Sequence, residues 1–162
     1  MEDHEFDLPM RLSDQQRVLI VRAASRYCAL PLEQVAEIMR PLPIDPLPGL
    51  PLYLRGLAVV RGAEVPVVDL GIFWGNVETA AVKRFVLCRA DHRRLAIAVE
   101  AVDGLREIGR ASDDFPPTSG DANAGRVSAA AVEDRHVLPL LRIADLIPEE
   151  TWQELEAAAM AR

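Results

Sequence analysis

The stretch Val18-Leu19-Ile20-Val21-Arg22-Ala23-Ala24-Ser25-Arg26-Tyr27-Cys28-Ala29-Leu30 decides how the chain is read. It carries two apolar runs of strand length, Val18 to Val21 and Tyr27 to Leu30, around the turn Ala24-Ser25-Arg26. The pattern returns further along. With a shift of 67 positions and no gap, Val18 meets Phe85, Arg22 meets Arg89, Ala23 meets Ala90, Arg26 meets Arg93 and Ala29 meets Ala96. Glu33 then meets Glu100 and Val35 meets Val102, while Leu30, Leu32 and Ile38 meet Ile97, Val99 and Leu105. A later segment repeats at a shift of 73, where Val65-Pro66-Val67-Val68 meets Leu138-Pro139-Leu140-Leu141. The chain therefore reads as a duplicated module of short strands. Each half, of about 65 residues, is marginal as a lone core, so the two are expected to pack over a shared apolar interface. Short strands at close spacing favour small barrels over a sandwich of long strands.

Around these hairpins the remaining segments fall into place. Pro31 suits the first turn of a short helix, with Leu32, Val35 and Ile38/Met39 on one face and Glu33 and Glu37 on the other. Five prolines between residues 41 and 51 exclude a helix interior or a central strand and predict a stiff, extended connector. Leu54 to Val60, interrupted by Gly56, and Glu64 to Leu70 read as strands around the turn Arg61-Gly62, with residues 75–82 as a linker. In the second half, Phe85 to Cys88, the turn Asp91-His92-Arg93 and the alternating run Leu95 to Ala101 repeat the opening hairpin. Residues 111–125 read as a long loop, and Val127 to Val132 with His136 to Leu141 as a hairpin around Glu133-Asp134-Arg135. Pro148 opens a final helix whose first-turn Glu149 and Glu150 suit the helix dipole and whose apolar stripe is Trp152, Leu155 and Ala159. The expected organisation is a lead-in over residues 1–15, a first barrel over about 16–82, a second over about 83–147 and a helix over about 148–160.

Composition removes several function classes. The 162 residues include 18 Lys+Arg against 25 Asp+Glu, a net charge of −7, which argues against a nucleic-acid binder. No apolar run approaches the roughly 20 residues of a membrane span, and no apolar signal segment follows the acidic start, so direct membrane insertion is not expected and a cytosolic setting is. The two cysteines, Cys28 and Cys88, are too few for a disulfide framework or a zinc site, and each lies in an apolar run where cysteine packs as a small hydrophobe. The nine glycines form no phosphate loop, no serine lies in a G-x-S-x-G elbow, and His4, His92 and His136 sit in polar or strand-edge contexts without metal-ligand spacing. Asp113-Asp114 reads as a solvated turn before Pro116-Pro117. No catalytic residue, metal or cofactor is expected.

The run Arg26-Tyr27-Cys28-Ala29-Leu30-Pro31-Leu32-Glu33-Gln34-Val35-Ala36-Glu37-Ile38 resembles the opening of the CheW-like family. Gly56-x4-Arg61-Gly62 followed by Val65-Pro66-Val67-Val68-Asp69-Leu70 resembles it more specifically, and residues 85–107 and 134–150 fit as well. The resemblance covers about residues 16–160 and is closer to the stand-alone coupling proteins of the family than to the CheW-like tail of a histidine kinase. It implies an all-β fold with a short helix in the first half and a C-terminal helix, in which two SH3-like five-stranded barrels share a core. It also implies a non-catalytic adaptor in the cytoplasm, at receptor arrays on the inner face of the membrane. Such an adaptor couples the cytoplasmic hairpin of a methyl-accepting chemoreceptor to the regulatory domain of a CheA-type histidine kinase.

Residue by residue, the resemblance places Glu37 and Arg61 near the receptor groove, where an arginine beside a carboxylate would fix the turn and keep donors for a partner. The same pair also reads as a plain intramolecular ion pair holding the Arg-Gly turn. Val35, Ile38 and Leu57 are expected as an apolar floor, Gly56 as a site of close backbone approach and Gly62 as a positive-φ position. Asp69 reads as a cap of a strand end or helix start. Val86, Val102 and Leu105 are expected on the kinase face. Val59 stands where the family commonly has Asn, which takes hydrogen-bonding capacity away from the groove. Ser128-Ala129-Ala130-Ala131 and Glu133 replace Gly-rich spacing before the last strand pair. Three alternatives accompany this reading. One is a relative serving twitching motility or another chemosensory pathway and binding only one partner. Another is a small-ligand sensor or enzyme using Asp69, Arg61 and Glu37 in a cleft between barrels. The last is a scaffold that adds extended peptides to a barrel edge, guarded by the Pro-rich segment.

Overall fold

In the computed structural model, residues 15–75, 81–109, 127–133 and 136–161 are described. Their strands are β1 (Gln15–Ala23), β2 (Arg26–Pro31), β3 (Val35–Met39), β4 (Leu54–Val60), β5 (Ala63–Asp69), β6 (Arg84–Ala90), β7 (Arg93–Val99), β8 (Ala101–Gly109), β9 (Val127–Glu133) and β10 (His136–Leu141). Five of them close a barrel in the order β1-β2-β10-β9-β8, and five form a second sheet in the order β3-β6-β7-β5-β4. Helix α1 (Leu70–Phe73) follows β5, and helix α2 (Glu149–Met160) ends the chain. This is the expected mostly-β fold with a C-terminal helix. The lead-in over residues 1–14, the loop over 111–125 with Asp113-Asp114, and the turn residues Asp134-Arg135 lie outside the described residues.

The duplication is realised strand for strand. The hairpin β1–β2 closes on Ala23 opposite Arg26, and its counterpart β6–β7 closes on Ala90 opposite Arg93. Leu140 on β10 pairs in parallel with Ala29 on β2, and Val67 on β5 pairs in parallel with Ala96 on β7. These are the residues matched by the shifts of 73 and 67.

The division into consecutive barrels at about 82/83 does not hold. The first hairpin, β1–β2, completes its barrel with β8, β9 and β10 from the second half, and β6–β7 takes β3, β4 and β5 from the first. The halves exchange their last three strands. The exchange happens at two equivalent places, the 3-10 turn Leu32–Gln34 and the residue Glu100, each of which carries the chain from one sheet to the other. At the second crossing the Glu100 N–H donates to the Arg22 carbonyl at 2.9 Å, and its carboxylate accepts from the Ala24 N–H at 2.9 Å. An exchanged strand satisfies its backbone as well as an unexchanged one, so periodicity alone does not separate the two arrangements.

The predicted short helix after Pro31 is also corrected. It is one 3-10 turn, and Val35–Met39 is an edge strand paired, among the described residues, with β6. Val35 is half-buried against the core whereas Ile38 is exposed, so the two do not share a helical face. Ladder bonds to β6 outweighed a helical spacing that only a handful of residues supported.

Three clusters of buried side chains explain the near-continuous apolar runs. Val18, Ile20, Ala29 and Leu140 fill the closed barrel. Their counterparts Phe85, Leu87 and Ala96 line the second sheet's own core with Val65 and Val67. The intervening residues Leu19, Val21, Cys28 and Leu30 face Val86, Cys88, Leu95 and Ile97 in the largest cluster, which both sheets share. Strands apolar on both faces read as unbroken runs rather than alternation. Helix α2 closes this shared core with Trp152 and Leu155.

Candidate functional site

At the tip of the β4–β5 hairpin, Arg61 and Gly62 both have positive φ, 52° and 83°. Two consecutive left-handed residues make the mirror-image turn that matches strand twist, and glycine adopts it without strain. The turn projects Arg61 into solvent, where its side chain is 71% exposed. Its Nη2 lies 2.6 Å from Oε1 of Glu37 on β3. Because β3 and β4 are the two edges of the sheet, this pair joins opposite margins of a strongly curled surface. Glu37 fixes one side of the guanidinium, and the planar fork has further N–H donors for a second acceptor.

Behind the tip, the Pro-rich connector docks on the outer edge of β4. The Asp45 N–H donates to the Leu57 carbonyl at 2.8 Å, and the Leu57 N–H donates to the Asp45 carbonyl at 2.9 Å. The approach requires a glycine. Gly56 has φ 137°, and a Cβ there would stand 2.1 Å from the Asp45 carbonyl oxygen. The expected close backbone approach is therefore made by the connector. Between connector and hairpin lies an open groove of about 490 Å³, lined by Pro43, Ile44, Asp45, Leu57, Val59 and Glu64. Val59 is 59% exposed at its side, and Leu57, almost fully buried, forms its base.

The structure thus brings Glu37, Arg61 and Gly62 together and sets Gly56 and Leu57 behind them. Val35 packs into the shared core, and Ile38 stands exposed on β3. Pro43 and Ile44 escaped the sequence reading. Their signal was an isoleucine held between prolines, which a connector assignment alone does not aim at any strand. Asp69 is buried; it accepts from the Ile72 N–H at 3.1 Å, capping α1, and pairs with Arg55 at 3.2 Å. It is taken up by these contacts while Arg61 and Glu37 pair with each other.

Of the three residues expected on a second face, Val86 is wholly buried between the sheets and is no docking residue. It is the repeat counterpart of Leu19, and each faces the shared core. Val102 is half-buried against the same core, and Leu105 on β8 is 51% exposed.

A second arginine marks the C-terminal helix. Arg93, at the start of β7, places its guanidinium 4.9 Å from the Trp152 ring centre. It donates to Glu149 at 2.5 Å and to Glu156 at 3.3 Å. These bonds hold the Glu149 carboxyl below the usual carboxylate range and push the Arg93 guanidinium up. Burial pushes both thiols up, Cys88 to about 12, so neither is a poised nucleophile. Among the described residues no group of His, Cys, Asp or Glu is arranged to hold a metal, and no helix is long and apolar enough to cross a membrane.

Comparison with known proteins agrees with this architecture. A family model described as the CheW-like domain matches residues 17–151. The protein FrzA of Myxococcus xanthus is 30% identical over 112 residues, covering 68% of this chain and 70% of its own length. The chemotaxis protein CheW of Rhizobium meliloti (strain 1021) is 28% identical over 148 residues, covering 88% and 92%. In fold, the chain is similar to the crystal structure of the scaffolding protein TtCheW from Thermoanaerobacter tengcongensis. The TM-score is 0.68 at 21% identity, over 78% of this chain and 88% of that one.

Proposed function

The chain belongs to the CheW-like family, and on that footing we propose that it is a non-catalytic chemotaxis coupling adaptor with two docking faces. The first face takes the cytoplasmic hairpin of a methyl-accepting chemoreceptor. It comprises Arg61 and Gly62 at the hairpin tip, Glu37 and exposed Ile38 on β3, and Leu57 at the base of the groove. Val35 and Gly56 support it from behind. The second face takes the regulatory domain of a CheA-type histidine kinase and centres on Leu105, backed by Val102. Its place is the cytoplasm, at receptor arrays on the inner face of the membrane. The work is positional and needs no cofactor: linked modest contacts give an array its strength through effective concentration.

The observation that carries the reading is the presented Arg61, held by Glu37 at 2.6 Å and yet 71% exposed, beside an apolar groove. A structural ion pair alone gives little at such exposure, whereas a guanidinium oriented in advance can give a partner a charge-assisted bond. The test is titration of the purified chain against a receptor cytoplasmic hairpin from the same genome and, separately, against the kinase regulatory domain. Arg61→Ala is expected to weaken hairpin binding about tenfold, the loss of one charged hydrogen bond, with the melting temperature nearly unchanged. Wild-type hairpin affinity in that variant removes the role given to Arg61. Binding of only one bait by the native chain marks a specialised relative in another pathway.

A further inference from the structure

We propose that the end of the β6–β7 hairpin is a carboxylate-recognition site. Arg89 and Arg94 take an acidic side chain from the partner helix, in the place that an internal glutamate fills in the other half of the repeat. This extends the first docking face and rests on the adaptor reading above.

The internal copy of the site shows the chemistry. At the end of the β1–β2 hairpin Arg22 stands opposite Tyr27. The Glu100 carboxylate lies 3.6 Å from the Arg22 Nε and accepts from the Ala24 N–H at 2.9 Å. One carboxylate thus meets a guanidinium and the open amide of a left-handed turn residue, Ala24 having φ 55°. The shift of 67 carries Arg22 to Arg89, Tyr27 to Arg94, Ala24 to Asp91 and Glu100 to Glu33. The backbone repeats: Asp91 has φ 57°, and the pairing of Val21 with Val102 becomes that of Cys88 with Val35. The carboxylate does not repeat. The β1–β8 ladder runs on to Arg22 opposite Ala101, which sets Glu100 over the turn. The β3–β6 ladder stops at Val35 opposite Cys88, and the 3-10 turn before it leaves Glu33 exposed.

What remains is a pair of arginines. Arg89 and Arg94 are directly opposite on adjacent strands, so their side chains leave the same face. Arg89 is exposed and Arg94 half-buried. Among the described residues, neither guanidinium, nor the Asp91 N–H, nor the carboxylates of Asp91 and Glu33 have a hydrogen bond or ion pair. Like charges so placed repel, and an arriving carboxylate offsets the repulsion and supplies the acceptor that both forks lack. The position suits the partner already assigned. Val67 on β5 pairs in parallel with Ala96 on β7, so the tips Arg61-Gly62 and Asp91-His92 lie at the same end of the sheet. Strand β3, which carries Glu37, begins at that end too. The arginine pair is continuous with the face built on Arg61, and one helix can engage both.

The experiment is calorimetric titration of the full chain with the receptor hairpin used above, with a melting curve for each variant. Arg89→Gln and Arg94→Gln are each expected to weaken binding about tenfold, the loss of one charge-assisted bond. Their melting temperatures are expected to stay level or rise slightly, because the facing charges are relieved. Arg84→Gln removes the same charge at the far end of β6 and is expected to stay within about twofold of wild type. If Arg89→Gln and Arg94→Gln bind like wild type while Arg61→Ala does not, the arginine-pair assignment is overturned and the adaptor reading stands. A loss in Arg84→Gln equal to theirs makes the effect one of total charge and overturns the assignment as well. So does a lowered melting temperature in both Arg89→Gln and Glu33→Gln, which would mean that these two residues pair within the chain. If the wild-type chain does not bind the hairpin at all, the assignment and the adaptor reading fall together.

Discussion

Arg61 and Arg93 stand at hairpin turns of the same sheet, and the structure uses them in opposite ways. Arg61 projects from the β4–β5 tip, pairs with Glu37 and is 71% exposed. Arg93 begins β7, lies over Trp152 and is forked between two carboxylates of α2, with only 20% of its side chain exposed. The difference lies in what stands opposite. Arg93 faces a helix whose Trp152 and Leu155 are already sunk in the shared core, so its stacking and bonds are spent inside the chain. Arg61 pairs instead with Glu37 on the edge strand β3. One arginine clamps a helix onto the core, and the other stands exposed at a hairpin tip.

Five substitutions, one of them read against pH, are expected to sharpen or break that contrast. The largest effect belongs to the clamp side. Trp152→Ala removes a large buried ring from the core that both sheets share and is expected to cost about 3–5 kcal/mol, read by chemical denaturation. A loss below about 1 kcal/mol would mean that α2 is not integral to the core. Next, Gly56→Ala sets a methyl group against the Asp45 carbonyl at a positive φ, with an expected cost of about 1–3 kcal/mol. Amide exchange should show lost protection at Asp45 and Leu57, and unchanged protection there would separate the connector from the groove. Arg93→Ala is expected to lower the melting temperature by less than Trp152→Ala does and to raise exchange in the first turn of α2. A silent Arg93→Ala would erase the distinction between the two arginines.

Acid offers a gentler probe of the same clamp. The folded Glu149 carboxyl titrates below its unfolded value because Arg93 donates to its charged form. Its contribution is fully present above the unfolded carboxylate range and is lost as the pH falls through the depressed folded value. Melting curves should therefore show a stability loss on acidification that is smaller in Glu149→Gln. The smallest effect falls on Arg61→Ala, whose exposed pair with Glu37 should change stability by no more than about 1 kcal/mol. A larger loss would class Arg61 with Arg93 as a structural residue.

Much of the fold was legible because the repeat is written in burial as well as identity. Val18 and Ile20 face the barrel interior and their counterparts Phe85 and Leu87 the second sheet's own core; Leu19 and Val21 face the shared core, as do Val86 and Cys88. The turns were legible too, since Arg61-Gly62 and Ala24-Ser25 each separate two apolar runs. The site was legible in part. Glu37, Arg61 and Gly62 stood out through the family resemblance of the motifs that carry them, and Asp69 by its place before Leu70. Val86 misled because an apolar residue in a strand carries no mark of which face it presents. Ile38 misled about the helix because five residues fit a helical and a strand period equally well.

What the sequence determined by itself is the number and kind of parts: paired hairpins, a proline-stiffened connector, a glycine where two backbones must meet, and a terminal helix with one apolar stripe. These follow from local sterics and from the period of burial, both of which are properties of neighbours along the chain. What only the tertiary structure decided is which parts belong together. Strand exchange between the halves, the meeting of Glu37 with Arg61, and the docking of Asp45 on Leu57 all depend on partners distant in sequence. A strand's hydrogen bonds are satisfied equally well by either half, and it is the crossings at Leu32–Gln34 and Glu100, together with closure of one common core, that select the partner.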